Sequence, residues 1–99
     1  MIVIKAAFQA KPGKVDELKV ACQAMATATH AEPTNISYTF SSDLADPTWL
    51  HLFEEWETEE GLAEHFATPH MADFITALGE LLDGGAPTTK YVVSSFGPL

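Results

Sequence analysis

Two histidines in the segment EEWETEEGLAEHFATPHMADF lie five positions apart, on either side of a threonine–proline pair. An imidazole, which ordinarily titrates at about pH 6.5, can take a proton at neutral pH, so His65 and His70 are candidates for a general base. The second interpretation is structural, with His65 hydrogen bonded to Glu54 or to a backbone carbonyl. Metal-binding pairs on a helix are usually four residues apart, and no cysteine or third histidine accompanies this pair at a usable spacing, so we expect no metal site.

Three further side chains could line a pocket beside these histidines. Strand alternation turns Glu54 and Trp56 toward the helices, where Trp56 is either a core residue or a flat wall for an aromatic substrate. Inward carboxylates are rare unless paired, so we expect Glu54 either to orient one of the histidines or to bond the following helix or a neighbouring strand. Tyr38 is a candidate hydrogen-bond partner for a substrate oxygen, although a tyrosine on a half-buried strand more often packs.

The elements that position these residues follow from the hydrophobic periodicity. Strands alternate between two faces, whereas helices repeat apolar residues at every third or fourth position. The pattern predicts a strand over residues 2–10, a helix over 14–29, a hairpin of strands over 35–42 and 49–57, and a last strand over 89–96. Thr58 is expected to cap a second helix, which restarts at Thr68 and Pro69 and runs to about residue 82.

The order β-α-β-β-α-β, with the second helix broken, predicts one domain over residues 1–99. Two β-α-β halves joined by a hairpin give an α+β fold, a ferredoxin-like antiparallel sheet with helices on one face. On the second strand, Ile36, Tyr38 and Phe40 should point the same way. The last helix should bury a stripe of five apolar residues: Met71, Phe74, Ile75, Leu78 and Leu82.

The first and third strands are apolar on both faces, so the sheet needs a second cover besides its own helices. We expect another copy of the chain to supply it, as a twofold homodimer with an α+β barrel between the subunits. A domain of 99 residues buries only about two thirds of its unfolded surface, which also favours a partner subunit.

The charge excludes several classes of partner. The net charge is −9, and all five basic residues are lysines. A surface of this sign repels phosphate backbones and anionic lipids, so we expect neither a nucleic-acid nor a membrane partner. The absence of arginine leaves no bidentate donor for a phosphate or carboxylate.

The apolar runs and the cysteine count bear on location. No apolar run approaches the roughly 20 residues that span a bilayer, and the first residues do not have the pattern of a signal peptide. Cys22 is the single cysteine, which rules out an internal disulfide framework and suits a cytoplasmic location.

Read with its flanks, the histidine segment resembles the antibiotic biosynthesis monooxygenase (ABM) family, which includes small quinol and anthrone monooxygenases. The family pattern is a strand ending in acidic–x–tryptophan, a helical histidine, a Ser/Thr–Pro–His step and an aromatic residue. The matching residues are Glu54, Trp56, His65, Thr68, Pro69, His70 and Phe74. The KPGK turn after the first strand and the strand that carries Tyr38 also fit. The candidate site therefore has two catalytic histidines, and its four substrate-binding residues are Trp56, Tyr38, Glu54 and Phe74.

The same scaffold also hosts haem-degrading enzymes and a sugar-phosphate isomerase, so the resemblance is a weak guide to substrate. Haem-degrading members pair a first-strand asparagine with a tryptophan and a histidine, whereas the only asparagine here is Asn35, ahead of the second strand. The isomerase branch handles a phosphorylated ligand, which the absence of arginine disfavours. Both departures favour the oxygenase branch.

The first hypothesis is a cofactor-independent monooxygenase that oxidises an electron-rich aromatic molecule, quinol or anthrone-like, with O₂. The sequence contains no glycine-rich flavin or nicotinamide motif, in agreement with a route that needs no cofactor. A substrate that has lost a proton can give O₂ its first electron, so the protein needs a dry aromatic pocket and a histidine base. Two alternatives stay open: a non-catalytic dimer that binds a small aromatic metabolite, and an isomerase of a small keto compound.

Overall fold

The computed structural model describes residues 1–99. Four strands and three helices follow one another as β1 (Ile2–Gln9), α1 (Val15–His30), β2 (Asn35–Ser42), β3 (Trp49–Trp56), α2 (Glu59–Phe66), α3 (Pro69–Leu81) and β4 (Thr88–Val92). The bounds of the first six elements lie within one residue of those expected from the sequence. The last strand is the exception, because it ends at Val92, four residues before its expected end.

All four strands form one antiparallel sheet in the order β2-β3-β1-β4. The central strand β1 pairs with β3 from Ile2 opposite Trp56 to Gln9 opposite Trp49, and with β4 on its other side. The hairpin of β2 and β3 places Asn35 opposite Trp56. This is the ferredoxin-like arrangement that the element order predicts.

The hydrophobic core lies between the sheet and its helices. Alternate residues of β1 and β3 are buried, because every second side chain of a strand points to the same face. α1 contributes Leu18, Cys22 and Met25, and α3 contributes Phe74 and Leu81. None of the three helices has the length and apolar character needed to cross a membrane.

Two residues that the periodicity placed in the core are exposed. Ile36 is half exposed, because the register between β2 and β3 shifts between Asn35 and Ser37 and breaks the expected alternation. Ile75 is also exposed, and Leu81 is buried instead. Successive residues of a helix are about 100° apart around its axis, so Ile75, which follows the buried Phe74, points away from the core.

The break between α2 and α3 is fixed by hydrogen bonds of one threonine. The Thr68 hydroxyl accepts the N–H of Met71 at 3.2 Å and donates to the His65 carbonyl oxygen at 2.7 Å. Pro69 occupies the first helical position, where the missing N–H costs nothing. Thr68 thereby joins the last turn of the helix that carries His65 to the first turn of the helix that carries His70.

The start of α2 packs closely against the chain that precedes β2. Thr58 caps α2 as expected, since its hydroxyl accepts the N–H of Gly61 at 3.0 Å. The N–H of Glu57 donates to the Thr34 carbonyl oxygen at 3.0 Å. Gly61 has no room for a side chain, because a Cβ atom there would overlap Oγ1 and Cβ of Thr34. This contact holds α2 against the α1–β2 connection.

We expect Gly61→Ala to lower the free energy of unfolding by about 1–3 kcal/mol, because Thr34 cannot rotate its own Cβ away and the backbone must move. Gly79→Ala is the matched control in α3, where a Cβ would meet nothing within 4 Å. There the loss of a helical glycine should stabilise the protein by about 0.5–1 kcal/mol. Urea unfolding of both variants measures the difference. A Gly61→Ala protein as stable as the wild type would contradict the close packing of α2.

Candidate functional site

The two histidines share one carboxylate. Oε2 of Glu32 lies 2.7 Å from Nδ1 of His65 and 2.8 Å from Nε2 of His70. A carboxylate only accepts hydrogen bonds, so each of these ring nitrogens carries a proton that it donates to Glu32. In a neutral ring the opposite nitrogen is then free to accept a proton: Nε2 in His65 and Nδ1 in His70.

Three separate elements bring these residues, which we name the Glu32 triad, together. Glu32 lies in the connection between α1 and β2, where its N–H donates to the Thr29 carbonyl oxygen at 2.9 Å and its own carbonyl accepts the N–H of Asn35 at 3.2 Å. His65 lies in the last turn of α2, and His70 lies in the first turn of α3. The sequence analysis did not identify Glu32, because nothing in its local pattern marks it.

The triad runs from the core toward the surface. The exposed fraction of the side chain is 1% for His65, 13% for Glu32 and 26% for His70. Packing therefore fixes His65, whereas a small molecule or solvent can reach His70. Of the two predicted catalytic histidines, His70 is the accessible one.

Aromatic rings surround the buried histidine. The centroid of the His65 ring lies 4.6 Å from that of Trp56 and 5.6 Å from that of Tyr38. Trp56 is fully buried, so it is a core residue, which was one of its two expected roles. Phe74 lies further along the core, with its ring centroid 5.9 Å from that of Phe40.

Glu54 is not hydrogen bonded to a histidine. Its Oε1 accepts a hydrogen bond from the indole Nε1 of Trp56 at 2.9 Å, and its side chain is buried. Both partners expected for Glu54, a histidine and the backbone of a neighbouring element, are therefore wrong, and Glu32 orients the histidines instead. Burial raises the pKa of Glu54 to about 7; the Trp56 hydrogen bond opposes this rise and the charge of Glu32 adds to it.

Three of the six predicted site residues line a cavity, and they do so in two different places. The larger, of about 450 Å³, lies between α1 and β2 and is lined by Tyr38, Cys22 and His30 among others. The smaller, of about 260 Å³, lies between α1 and α3 and is lined by His70 and Phe74. Three predicted site residues line neither of them: Glu54, Trp56 and His65. Either cavity could admit a small molecule, but the six predicted side chains do not share one of them.

The thiol of Cys22 and the phenol of Tyr38, which both line the larger cavity, are neutral groups. Burial raises the pKa of the Cys22 thiol to about 12. Burial raises the pKa of Tyr38 as well, and the negative charge of Glu54 adds to the effect. His30, which the sequence analysis did not identify, donates from Nε2 to the carbonyl oxygen of Tyr38 at 2.9 Å. The thiol and the phenol therefore stay protonated at neutral pH.

The triad also places three possible metal ligands together. One ligand atom from each of Glu32, His65 and His70 lies within 4.8 Å of the other two. We expected no metal site because no cysteine or third histidine accompanies the pair at a usable spacing. That expectation did not consider a carboxylate, which the fold brings to the pair from a position 33 residues before His65.

The antibiotic biosynthesis monooxygenase (ABM) family model matches residues 1–77. The chain belongs to this family. It is 33% identical over 98 residues to the Mycobacterium tuberculosis protein named "Putative monooxygenase Rv0793", covering 99% of this chain and 91% of that one. It is 28% identical over 82 residues to "Putative monooxygenase YcnE" of Bacillus subtilis, covering 83% and 86%.

Solved structures of relatives have the same fold. The structure of Rv0793 superposes with a TM-score of 0.91 at 27% identity, covering 98% of each chain. A Deinococcus radiodurans structure superposes with a TM-score of 0.93 at 23% identity, covering all of this chain and 98% of that one. The chain spans 63% of the length of a Synechocystis relative to which it is 29% identical.

We expect Glu54→Gln to change how stability depends on pH. The pKa of the folded carboxyl is about 7, against an ordinary value of 4.5, so the folded state holds this proton more tightly than the unfolded state does. The wild type should therefore lose stability as the pH rises between these two values. Glutamine keeps an oxygen for Trp56 without the charge, so the variant should be more stable than the wild type by at most about 3 kcal/mol above pH 7.

Urea unfolding of both proteins across this pH range measures the effect. The two stabilities should converge below the ordinary pKa of glutamate, where the carboxyl is protonated in both the folded and the unfolded state. Glu64→Gln, on the exposed face of α2, is the control and should show no such divergence. A constant difference between Glu54→Gln and the wild type would contradict the raised pKa.

Proposed function

We propose that this chain is a cofactor-independent monooxygenase that oxidises an electron-rich aromatic molecule, such as a quinol or an anthrone, with O₂. Membership of the ABM family and the names of two relatives support a monooxygenase role. The observation that carries the proposal is the Glu32 triad, because it holds a partly exposed imidazole in a fixed orientation beside an aromatic core.

Glu32 sets the protonation pattern that a base requires. The hydrogen bond from Nε2 of His70 to Glu32 leaves Nδ1 as the nitrogen that accepts a proton. When Nδ1 takes that proton, the ring becomes a cation, and the adjacent carboxylate stabilises it. This is the role that an orienting acid has beside a catalytic histidine in hydrolases. His65, which is 1% exposed, acts in this scheme as a second donor that holds the carboxylate.

The proton transfer is what makes the reaction with O₂ possible. Triplet O₂ does not insert directly into a closed-shell molecule, so a one-electron step has to come first. A phenolic substrate that loses its proton becomes an anion, which gives up an electron far more readily than the neutral molecule. The substrate itself is thereby the reductant, and the protein supplies the base and a site with little water.

The cavity between α1 and α3 is the place we assign to the reacting hydroxyl. It is lined by His70 and by the apolar side chains of Phe74 and Met25. Its volume of about 260 Å³ suits a quinol or a three-ring anthrone rather than a larger polycyclic molecule. Trp56, Tyr38 and Glu54 do not line that cavity, so in this scheme they support it from the core and do not contact the substrate.

Oxygen uptake with a panel of quinols and anthrones tests the proposal. We expect turnover by the wild type and a kcat lowered about 100-fold or more in His70→Gln, because glutamine cannot take the proton. Glu64→Gln, an exposed α2 variant, should retain full activity. The proposal fails if none of these compounds supports O₂ consumption.

The same assay separates the two alternative functions. A non-catalytic dimer would bind aromatic compounds without consuming O₂ and would tolerate glutamine at His65 and His70. An isomerase of a keto compound would turn over under anaerobic conditions and would still need the histidines. Turnover that stops when O₂ is removed is the result expected for the monooxygenase.

Assembly and location also belong to this proposal. The sheet face that points away from the helices carries Phe53, which is 47% exposed, and Tyr91, which is also 47% exposed. We infer that a second copy of the chain covers this face, because both faces of β1 and β3 carry apolar residues. A cytoplasmic location stays a prediction, based on the single cysteine Cys22.

Light scattering of the purified protein should give twice the mass of one chain. Phe53→Lys should shift the protein toward the monomer, because a charged side chain at the centre of an apolar interface is costly to bury. Thr76→Lys, on the exposed outer side of α3, is the matched control and should leave the mass unchanged. A wild-type protein that is monomeric at high concentration would contradict the dimer.

A further inference from the structure

The Glu32 triad has the donor set of a transition-metal site. Imidazole nitrogens and a carboxylate oxygen together suit Zn²⁺, Fe²⁺ and Co²⁺. The three donors come from three elements, and their ligand atoms lie within 4.8 Å of one another. The geometry points to a binding site for one divalent transition-metal ion, with Nδ1 of His65, Nε2 of His70 and a carboxylate oxygen of Glu32 as ligands.

Little movement is needed to admit an ion. Zinc lies about 2.0–2.2 Å from nitrogen and oxygen ligands, so neighbouring ligand atoms of a tetrahedral site are about 3.3 Å apart. The Glu32 oxygen now lies 2.7 Å from one ring nitrogen and 2.8 Å from the other. Separating these atoms by roughly 0.5 Å reaches the distances of a coordinated ion. Both rings already direct a nitrogen at the same oxygen.

Burial favours binding without blocking entry. The side chain of His65 is 1% exposed and that of Glu32 is 13% exposed, so two of the three ligands are held in place before an ion arrives. The His70 side chain is 26% exposed, and it also lines the cavity between α1 and α3. An ion can therefore enter past His70, and three protein ligands leave a fourth position for water.

The charge around the triad also favours a cation. The chain has a net charge of −9, and two neutral imidazoles do not neutralise the Glu32 carboxylate. The lysine ion pairs lie elsewhere, between Lys14 and Glu17 and between Lys90 and Glu59. Glu32 is thus paired only with the two rings that would bind the ion with it.

Metal binding would exclude the proposed base. An ion takes the lone pairs of the nitrogens that face Glu32, so each neutral ring has to carry its proton on the opposite nitrogen. In His70 that nitrogen is Nδ1, the proposed proton acceptor. This consequence depends on the proposed function, whereas metal binding itself does not.

Titration calorimetry of the metal-free protein with Zn²⁺, and the visible absorption of bound Co²⁺, test the site. We expect one ion per chain, and an affinity at least about tenfold weaker in Glu32→Gln and in His70→Gln, since each removes a ligand. Glu64→Gln and His51→Gln make the same chemical changes outside the triad and should bind as the wild type does. Circular dichroism of each variant checks that it is folded.

Three results would overturn the site. The first is no Zn²⁺ binding by the wild type, and the second is a Zn²⁺ affinity of Glu32→Gln and His70→Gln equal to that of the wild type. The third is a loss of affinity in the two control variants as large as the loss in the triad variants. If any quinol supports O₂ uptake, Zn²⁺ should inhibit it and a chelator should restore it. Activity that persists with Zn²⁺ bound would overturn the exclusion of the base while leaving the metal site intact. Absence of Zn²⁺ binding would leave the proposed oxidation untouched.

Discussion

The site depends on one partly buried interaction, the Glu32 carboxylate shared by two imidazoles. Glu32 accepts from both rings within 2.8 Å, and this fixes which nitrogen of each ring is free. Burying a carboxylate even partly without such donors would lower the stability of the fold, so the two histidines stabilise Glu32 while Glu32 orients them. The hydrogen bonds of Thr68 hold α2 against α3, and the close contact at Gly61 holds α2 against the α1–β2 connection. Together they keep Glu32 within hydrogen-bond distance of both histidines.

The fold could be predicted from the sequence because its signals are local. Strand alternation, the threonine caps and Pro69 each depend on neighbours within a few residues, and they predicted the elements closely. Two failures had local causes that the periodicity does not show. The register shift at Asn35 turned Ile36 outward, and the actual contact stripe of α3 excluded Ile75.

The site was harder to predict because it joins distant parts of the chain. The histidines and Trp56 were found by their types and spacing, but the partner expected for His65, Glu54 or a backbone carbonyl, was wrong. The predicted hairpin did contain a signal: the start of β2 lies beside the end of β3, so a residue just before β2 lies near α2. Glu32 is that residue. The predicted side chains do not share one pocket: Tyr38 lines one cavity, His70 and Phe74 line another, and the rings of Trp56 and His65 pack on each other in the core.

Glu54 and Glu32 show how environment assigns different roles to two acids. Glu54 is buried beside one indole N–H, and its pKa is raised to about 7. Glu32 has two imidazole donors and serves as the orienting acceptor.

The ring tautomers of the two histidines test this account most directly. Proton–nitrogen correlation spectra of the ¹⁵N-labelled, metal-free protein at neutral pH report which nitrogen of each ring carries the proton. We expect opposite tautomers, with the proton on Nδ1 in His65 and on Nε2 in His70, and loss of this pattern in Glu32→Leu, which has no acceptor oxygen. The same tautomer in both rings, or a pattern unchanged by Glu32→Leu, would contradict the shared carboxylate as the organising interaction of the site.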